Sequence, residues 1–330
     1  MATTTQASKS NVWTPSFMVK VPLLRTGARK LRNVPLICRP RQLWEASFRH
    51  QPPRIPQFPT YKLISTGFTA VDVFKESLCS PKDFSKDETN AVVIIPGFGA
   101  PANNYYSMAD ELRKLMHYNV YVSVVPVTVQ TWLRTIGGRP VTPVLQLLDD
   151  EVQKACSQSG TSKVSLVAHS AGGWIARIYL GQVPYPSGGT AHAWSGDRFV
   201  SKLVCLGTPH RSDEGVARKN MQFVNENYPG AYHDHVEYVN MVGDGGSVAE
   251  QKGAAWRFWD TDWLPRVSYR LTDRSIGNGA VEGDGVVPLS VGFLEGSTHN
   301  IRLKDVWHSP TSAGTWYGHS SVVQYWSSFL

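Results

Sequence analysis

Lys163-Val164-Ser165-Leu166-Val167-Ala168-His169-Ser170-Ala171-Gly172-Gly173-Trp174-Ile175-Ala176-Arg177 is the stretch that decides how this chain is built. Its first part is a short apolar run rich in Val, the composition of a buried strand, and its last part follows a helical pattern. The join is a tight turn of small residues, Ala168-His169-Ser170-Ala171-Gly172. This is the G-x-S-x-G form of a nucleophile elbow, with Ala168 in place of the first glycine. A serine at the apex of a sharp strand-to-helix turn needs small neighbours, because larger ones collide with the adjacent backbone. The competing interpretation is an ordinary helix start with Ser170 as N-cap.

Working outward, Ala91-Val92-Val93-Ile94-Ile95 reads as a strand that ends in Pro96-Gly97-Phe98-Gly99-Ala100. A helical pattern covers about 104–118, with Met108, Leu112, Leu115 and Met116 on one face. A second strand follows over 120–125, and Pro143 begins another helix. After the elbow strand at 163–168, its helix runs to about 181. Leu203-Val204-Cys205-Leu206 and the alternating stretch 236–242 read as further strands, 301–306 as the last one, and 320–329 as the final helix. Strands alternating with helices predict an α/β protein with a mainly parallel sheet covered on both faces.

The chain has 330 residues, 42% of them hydrophobic, enough for one large domain with appendages. Its net charge of +7 is unevenly spread. Residues 1–44 hold eight Lys and Arg and no Asp or Glu, so the remainder is close to neutral. That leader has the composition of an organelle transit peptide. It lacks a secretory apolar core, and nowhere is there an apolar run of about 18 residues to span a membrane. No basic stripe outside the leader suggests nucleic acid. Residues 45–62, with Pro52, Pro53, Pro56 and Pro59, read as a linker into a domain over 63–330. The four cysteines, at 38, 79, 156 and 205, show neither a disulfide framework nor metal-ligand spacing.

Four local motifs stand in order: Ile95-Pro96-Gly97-Phe98-Gly99, Ala168-His169-Ser170-Ala171-Gly172-Gly173, Leu206-Gly207-Thr208-Pro209-His210 and Gly283-Asp284-Gly285-Val286-Val287-Pro288. With them, residues 90–327 or so resemble the α/β-hydrolase lipases and esterases. The chain looks most similar to plant and cyanobacterial hydrolases of plastid type that carry a G-D-G-[VT]-[VT]-P element. The resemblance implies an α/β-hydrolase fold with a cap insertion, and the residues show no metal site and no nucleotide loop, so no cofactor and no metal are expected.

A serine hydroxyl is a poor nucleophile until a histidine base takes its proton, and that base needs a carboxylate to orient it. In this fold the order along the chain is Ser, acid, His. After Ser170 the favoured acid is Asp284, whose flanking glycines let the carboxylate approach an imidazole; Asp244 is the runner-up. The favoured base is His308, which follows the last strand at once, and the resembling hydrolases place theirs in a His-Ser-Pro element here. His319 is the alternative, while His299 precedes the predicted strand. Charge developing on a carbonyl oxygen needs two N–H donors, expected from Ala171 and Phe98. Residues 211–265, rich in aromatics (Phe223, Tyr228, Tyr232, Trp256, Phe258, Trp259, Trp263), are expected to cap the pocket.

The expectation is a chloroplast serine hydrolase of carboxylic esters, small or lipid-like. It binds no nucleic acid and has no transmembrane segment, and peripheral membrane contact stays open. The alternatives are a thioesterase, a phytyl-ester hydrolase, or an inactive α/β-hydrolase-fold receptor.

Overall fold

The computed structural model describes residues 91–187, 190–212, 217–249, 263–277, 279–310 and 314–330. The expected leader and linker, and Trp256, Phe258 and Trp259 of the expected cap, lie outside the described residues.

Among the described residues ten strands are formed: β1 (Ala91–Ile95), β2 (Tyr121–Val124), β3 (Val164–His169), β4 (Tyr185–Ser187), β5 (Thr190–His192), β6 (Val200–Leu206), β7 (Glu237–Gly243), β8 (His299–Leu303), β9 (Val306–Trp307) and β10 (Thr315–Trp316). Six of them make one sheet in the order β2-β1-β3-β6-β7-β8, with every neighbouring pair parallel. β1 and β3 are neighbours inside the sheet and are buried along their whole length, as strands covered on both faces must be. Their side chains alternate between two cores. Ala91, Val93 and Ile95 pack with helices Thr142–Ser159 and Ala171–Leu180. Val92 and Ile94 face the opposite way, into a core with helices Tyr106–Leu115 and Ser320–Trp326. Each such Val or Ile contributes about 1.5–3 kcal/mol by leaving water. This is the α/β-hydrolase arrangement of helices on both faces of a parallel sheet.

Because all six strands run the same way, the loops after β1, β3, β6 and β7 gather at one edge. Phe98, Ser170, Gly207 and Asp244 belong to those loops, and crevices outside the carboxyl ends of parallel strands are where ligands bind in such sheets.

The structure departs from the sequence pattern in three places. The stretch 301–306 is not one strand: β8 begins at His299 and ends at Leu303, and Asp305 turns the chain at φ 57° before β9. His299 therefore opens the strand rather than preceding it. The helix expected over 104–118 begins as a 3-10 turn, Ala102–Tyr105, and stops at Leu115, with His117 and Tyr118 in left-handed conformations beyond it. The expected cap over 211–265 is largely scaffold among the described residues. Helix Arg218–Asn227 buries Met221 and Val224 in the core, Phe223 and Tyr228 pack there too, and β7 is a strand of the central sheet. Those aromatics fill the interior on the sheet face that carries Ala91, Val93 and Ile95.

Candidate active site

β3 delivers Ser170 at φ 52° and ψ −125°, a left-handed backbone that costs a residue with a Cβ about 1–3 kcal/mol. The turn is held from both sides. The Ser170 N–H donates to the Leu206 carbonyl at 2.9 Å, and its carbonyl accepts from the Gly173 N–H at 3.1 Å. There is no room for larger neighbours: a Cβ on Gly172 would meet the Ile95 carbonyl oxygen at 2.7 Å, and one on Gly173 would meet Thr208 Oγ1 at 2.1 Å. Ser170 makes no side-chain cap to the following helix, so the N-cap interpretation fails. Its Oγ lies instead 2.9 Å from His308 Nε2.

His308 follows β9, which pairs in parallel with β10. Its ring is buried, and Nδ1–H donates to Asp284 Oδ2 at 2.8 Å, leaving Nε2 to accept the serine proton. The two residues are also tied through the backbone, His308 N–H to the Asp284 carbonyl at 2.8 Å.

Asp284 is fully buried in a turn closed by the bridge between Gly283 and Pro288. Its Oδ1 accepts from the N–H groups of Val286 and Val287, at 3.0 and 2.7 Å. Oδ2 accepts from His308 and from the Tyr317 hydroxyl at 2.7 Å. Gly207, at φ 57°, allows this approach: a Cβ there would lie 2.6 Å from Oδ2. Burial alone would raise the Asp284 carboxyl, but His308 beside it, with the hydrogen bonds from His308, Val287 and Tyr317, holds it below the usual value. The carboxylate is thus ionised, oriented and fully satisfied.

The rival candidates lie elsewhere. Asp244 accepts from Arg302 Nε and from the Asp305 N–H, both at 2.6 Å. His319 is exposed, bonds Ser321 Oγ at 2.9 Å, and offers its carbonyl to Val322 and Val323 at the start of the last helix. His299 sits at the exposed start of β8.

The loop after β1 forms the facing wall. A Cβ on Gly97 would stand 2.9 Å from Ser170 Cβ, so only glycine lets the two backbones meet. The Gly97 N–H is committed to the Tyr105 hydroxyl at 2.8 Å, which leaves Phe98 as the next donor of this loop. Ala171 opens the helix after the nucleophile, where N–H groups and the helix dipole favour negative charge. The Phe98 ring is about half exposed, edge-on to Trp132 at 5.4 Å.

Three residues that sequence reasoning passed over complete the site. Tyr105 accepts from Gly97 and donates to His169 Nδ1 at 2.7 Å; His169 Nε2–H then donates to the His308 carbonyl at 2.9 Å. One chain of bonds so links the β1 loop to the backbone of the base. Burial, and then the neighbouring His308, push the His169 imidazole down to about 3, so it stays neutral beside the His308 ring. Tyr317, fully buried, accepts from the Gly243 N–H at 2.8 Å and steadies Asp284. His169 lies inside the elbow motif, but no spacing announces its partners.

Residues 85–224 match the family described as "Putative serine esterase (DUF676)", a span that includes the elbow but neither Asp284 nor His308. No curated protein matches the chain. Among solved structures, an acetylxylan esterase is 13% identical, with a TM-score of 0.32 over 73% of this chain and 92% of its own. Polyneuridine aldehyde esterase is 15% identical, with a TM-score of 0.28 over 43% of this chain and 49% of its own. A cutinase-like protein from Cryptococcus sp. is 10% identical, with a TM-score of 0.30 over 45% and 74%. The chain spans about half the length of polyneuridine aldehyde esterase. Likenesses this low carry no argument about activity. The parallel sheet with helices on both faces and Ser170 on its elbow is the α/β-hydrolase fold, and residues 85–224 are similar to a serine-esterase family.

Proposed function

We propose that Ser170, His308 and Asp284 are the nucleophile, base and acid of a catalytic triad that cleaves lipid-like carboxylic esters. The observation that carries this reading is the single line of contacts from Ser170 Oγ to His308 Nε2 and from His308 Nδ1 to Asp284 Oδ2. Ser170 Oγ attacks the ester carbonyl while His308 takes its proton. The N–H groups of Ala171 and Phe98 receive the oxyanion. His308 then returns the proton to the departing alcohol, and water releases the acyl group by the same steps.

The lipid-like preference rests on apolar surface beside the oxyanion loop. Phe98 is exposed, and so are Val129 and Leu133 on the short helix whose Trp132 it touches, and Ile136 just after it. These residues favour acyl chains over sugars or charged metabolites, and they leave room for peripheral contact with a membrane. No described helix is long and apolar enough to cross one. The acid-free leader supports delivery to a chloroplast, in keeping with the plastid-type resemblance of the Gly283-Asp284-Gly285 element.

Labelling by a fluorophosphonate probe, lost in Ser170→Ala, tests the nucleophile. Hydrolysis of p-nitrophenyl esters of graded length tests the substrate. A kcat/KM that rises from acetyl towards longer acyl chains is expected, and one that falls would remove the lipid preference while leaving the esterase. A fluorescent fusion of the leader that stays in the cytosol would reject the chloroplast address.

A further inference from the structure

At the end of the sheet away from Ser170 lies a second cluster of chemistry-bearing side chains. Asp197 sits in the 3-10 turn Gly196–Phe199 that leads into β6. His233 and His235 sit in the segment leading into its parallel neighbour β7, where a turn from the His233 carbonyl to the Val236 N–H brings the two rings to 5.7 Å between centroids. Asp197 Oδ2 stands 3.5 Å from His235 Nε2 and 3.9 Å from His233 Nδ1, and one ligand atom from each of the three residues falls within 4.8 Å of the others. An ion centred among such atoms would stand roughly 2.4 Å from each, a few tenths of an ångström beyond the bonds that zinc makes to His and Asp. A small inward movement of the half-exposed His235 would close that gap.

The surroundings leave this cluster short of positive charge. The Asp197 side chain is 10% exposed, yet among the described residues its ion-pair contacts are only the two imidazoles, with Gln182 Nε2 donating at 3.2 Å. A buried carboxylate without a cationic partner is costly. His233 lies beside this carboxylate, its Nδ1 3.9 Å from Asp197 Oδ2. Its side chain is 7% exposed, and its Nε2 is buried without a hydrogen-bond partner among the described residues. His235 Nε2 lies 3.2 Å from the Asp197 carbonyl, a contact that coordination would replace as the ring proton moves to Nδ1. An ionised carboxylate and two neutral imidazoles are the forms that bind a borderline-soft divalent ion, and an N,N,O set suits zinc better than calcium or magnesium, which prefer oxygen alone.

We propose that Asp197, His233 and His235 form a structural site for a divalent transition-metal ion, zinc foremost, that pins the start of β6 to the start of β7. Water reaching the exposed side of His235 completes the coordination. The site is independent of the ester chemistry, which takes place at the other end of the same strands.

The test uses the full chain, stripped with a chelator, dialysed, and titrated with zinc chloride against a chromogenic competitor. Cobalt(II) absorption serves as a second readout of coordination. One equivalent of zinc with a Kd at or below the micromolar range is expected, together with a Tm higher by several degrees when saturated. His235→Gln, at a half-exposed position that the fold does not depend on, should weaken binding at least about tenfold and erase the Tm gain. Asp197→Asn should do the same. Ester hydrolysis by the wild-type protein at room temperature should be unchanged by the chelator. Zinc that binds both variants as tightly as the wild type would sit elsewhere and overturn the proposal. So would a wild-type chain that takes up no zinc at about 100 μM free metal.

Discussion

At Ser170 the backbone and the side chain make opposing demands. The hydroxyl must stand clear of the helix to meet His308, and the φ of 52° that achieves this is one a residue with a Cβ resists. Ser170→Ala and Ser170→Gly should both lose ester hydrolysis by several orders of magnitude, because triad members act as a unit. Glycine should nevertheless leave the fold about 1 kcal/mol more stable than alanine, since only alanine keeps the strained Cβ. Parallel denaturant melts of the two variants check this, and equal midpoints would show that the elbow stores no strain. His308→Ala should be as inactive as Ser170→Ala. His319→Ala should keep near-normal kcat/KM, because its contacts are with Ser321 and the helix start. Tyr317→Phe removes one donor to Asp284 and orphans the Gly243 N–H. A fall in kcat of roughly tenfold with little change in KM, and a loss of about 1–2 kcal/mol in stability, is the expected result. A variant with wild-type kcat would leave Tyr317 no part in holding the acid.

At the scale of elements, the glycines after the nucleophile are set by crossing segments rather than by the turn alone. Gly173→Ala would drive a Cβ into Thr208, which belongs to the loop after β6. Overpacking of this kind typically costs about 1–3 kcal/mol. Thermal melts should show that loss, with partial recovery in Gly173→Ala/Thr208→Gly; no recovery would mean that the helix start itself rejects alanine. The main strands were legible in the sequence because β1 is an uninterrupted apolar run and β3 and β6 hold the apolar stretches Leu166-Val167-Ala168 and Leu203-Val204-Cys205-Leu206, as a parallel sheet buried on both faces needs. Ser170, Asp284 and His308 were chosen as candidates by motif and chain order, and the structure sets their side chains in one line of hydrogen-bond contacts. Other parts were not legible. β9 and β10 have two residues each and exist only through their mutual pairing. The Tyr105–His169–His308 chain joins residues far apart in sequence, so no local pattern could announce it.

Across the whole molecule, two fully buried imidazoles set the response to acid. His169 and His210 are both pushed down to about 3, in each case first by burial. Their folded values lie below the unfolded value of about 6.5, so the unfolded chain takes up protons that the folded one refuses. Their stabilising effect is therefore complete above about pH 6.5 and is lost as pH falls from there towards 3. Each can cost up to about 2 kcal/mol by pH 5. Asp284, held below its usual value, contributes its own loss only at lower pH, as its carboxyl finally protonates. The Tm should fall steadily between pH 6.5 and 4.5, and His210→Gln should flatten that slope; a Tm constant over the range would refute the account.

The distribution of the site along the chain also has a consequence for the order in which the protein is made. Ser170 and the strands that strain it belong to the middle of the polypeptide, whereas Asp284, His308 and Tyr317 all lie beyond residue 280. A ribosome thus finishes the elbow well before it supplies His308, the proposed base. While the 138 residues from Ser170 to His308 are added, the growing chain would, on the proposed mechanism, carry an inert alcohol, and the first turnover of ester would announce that the last strands have docked.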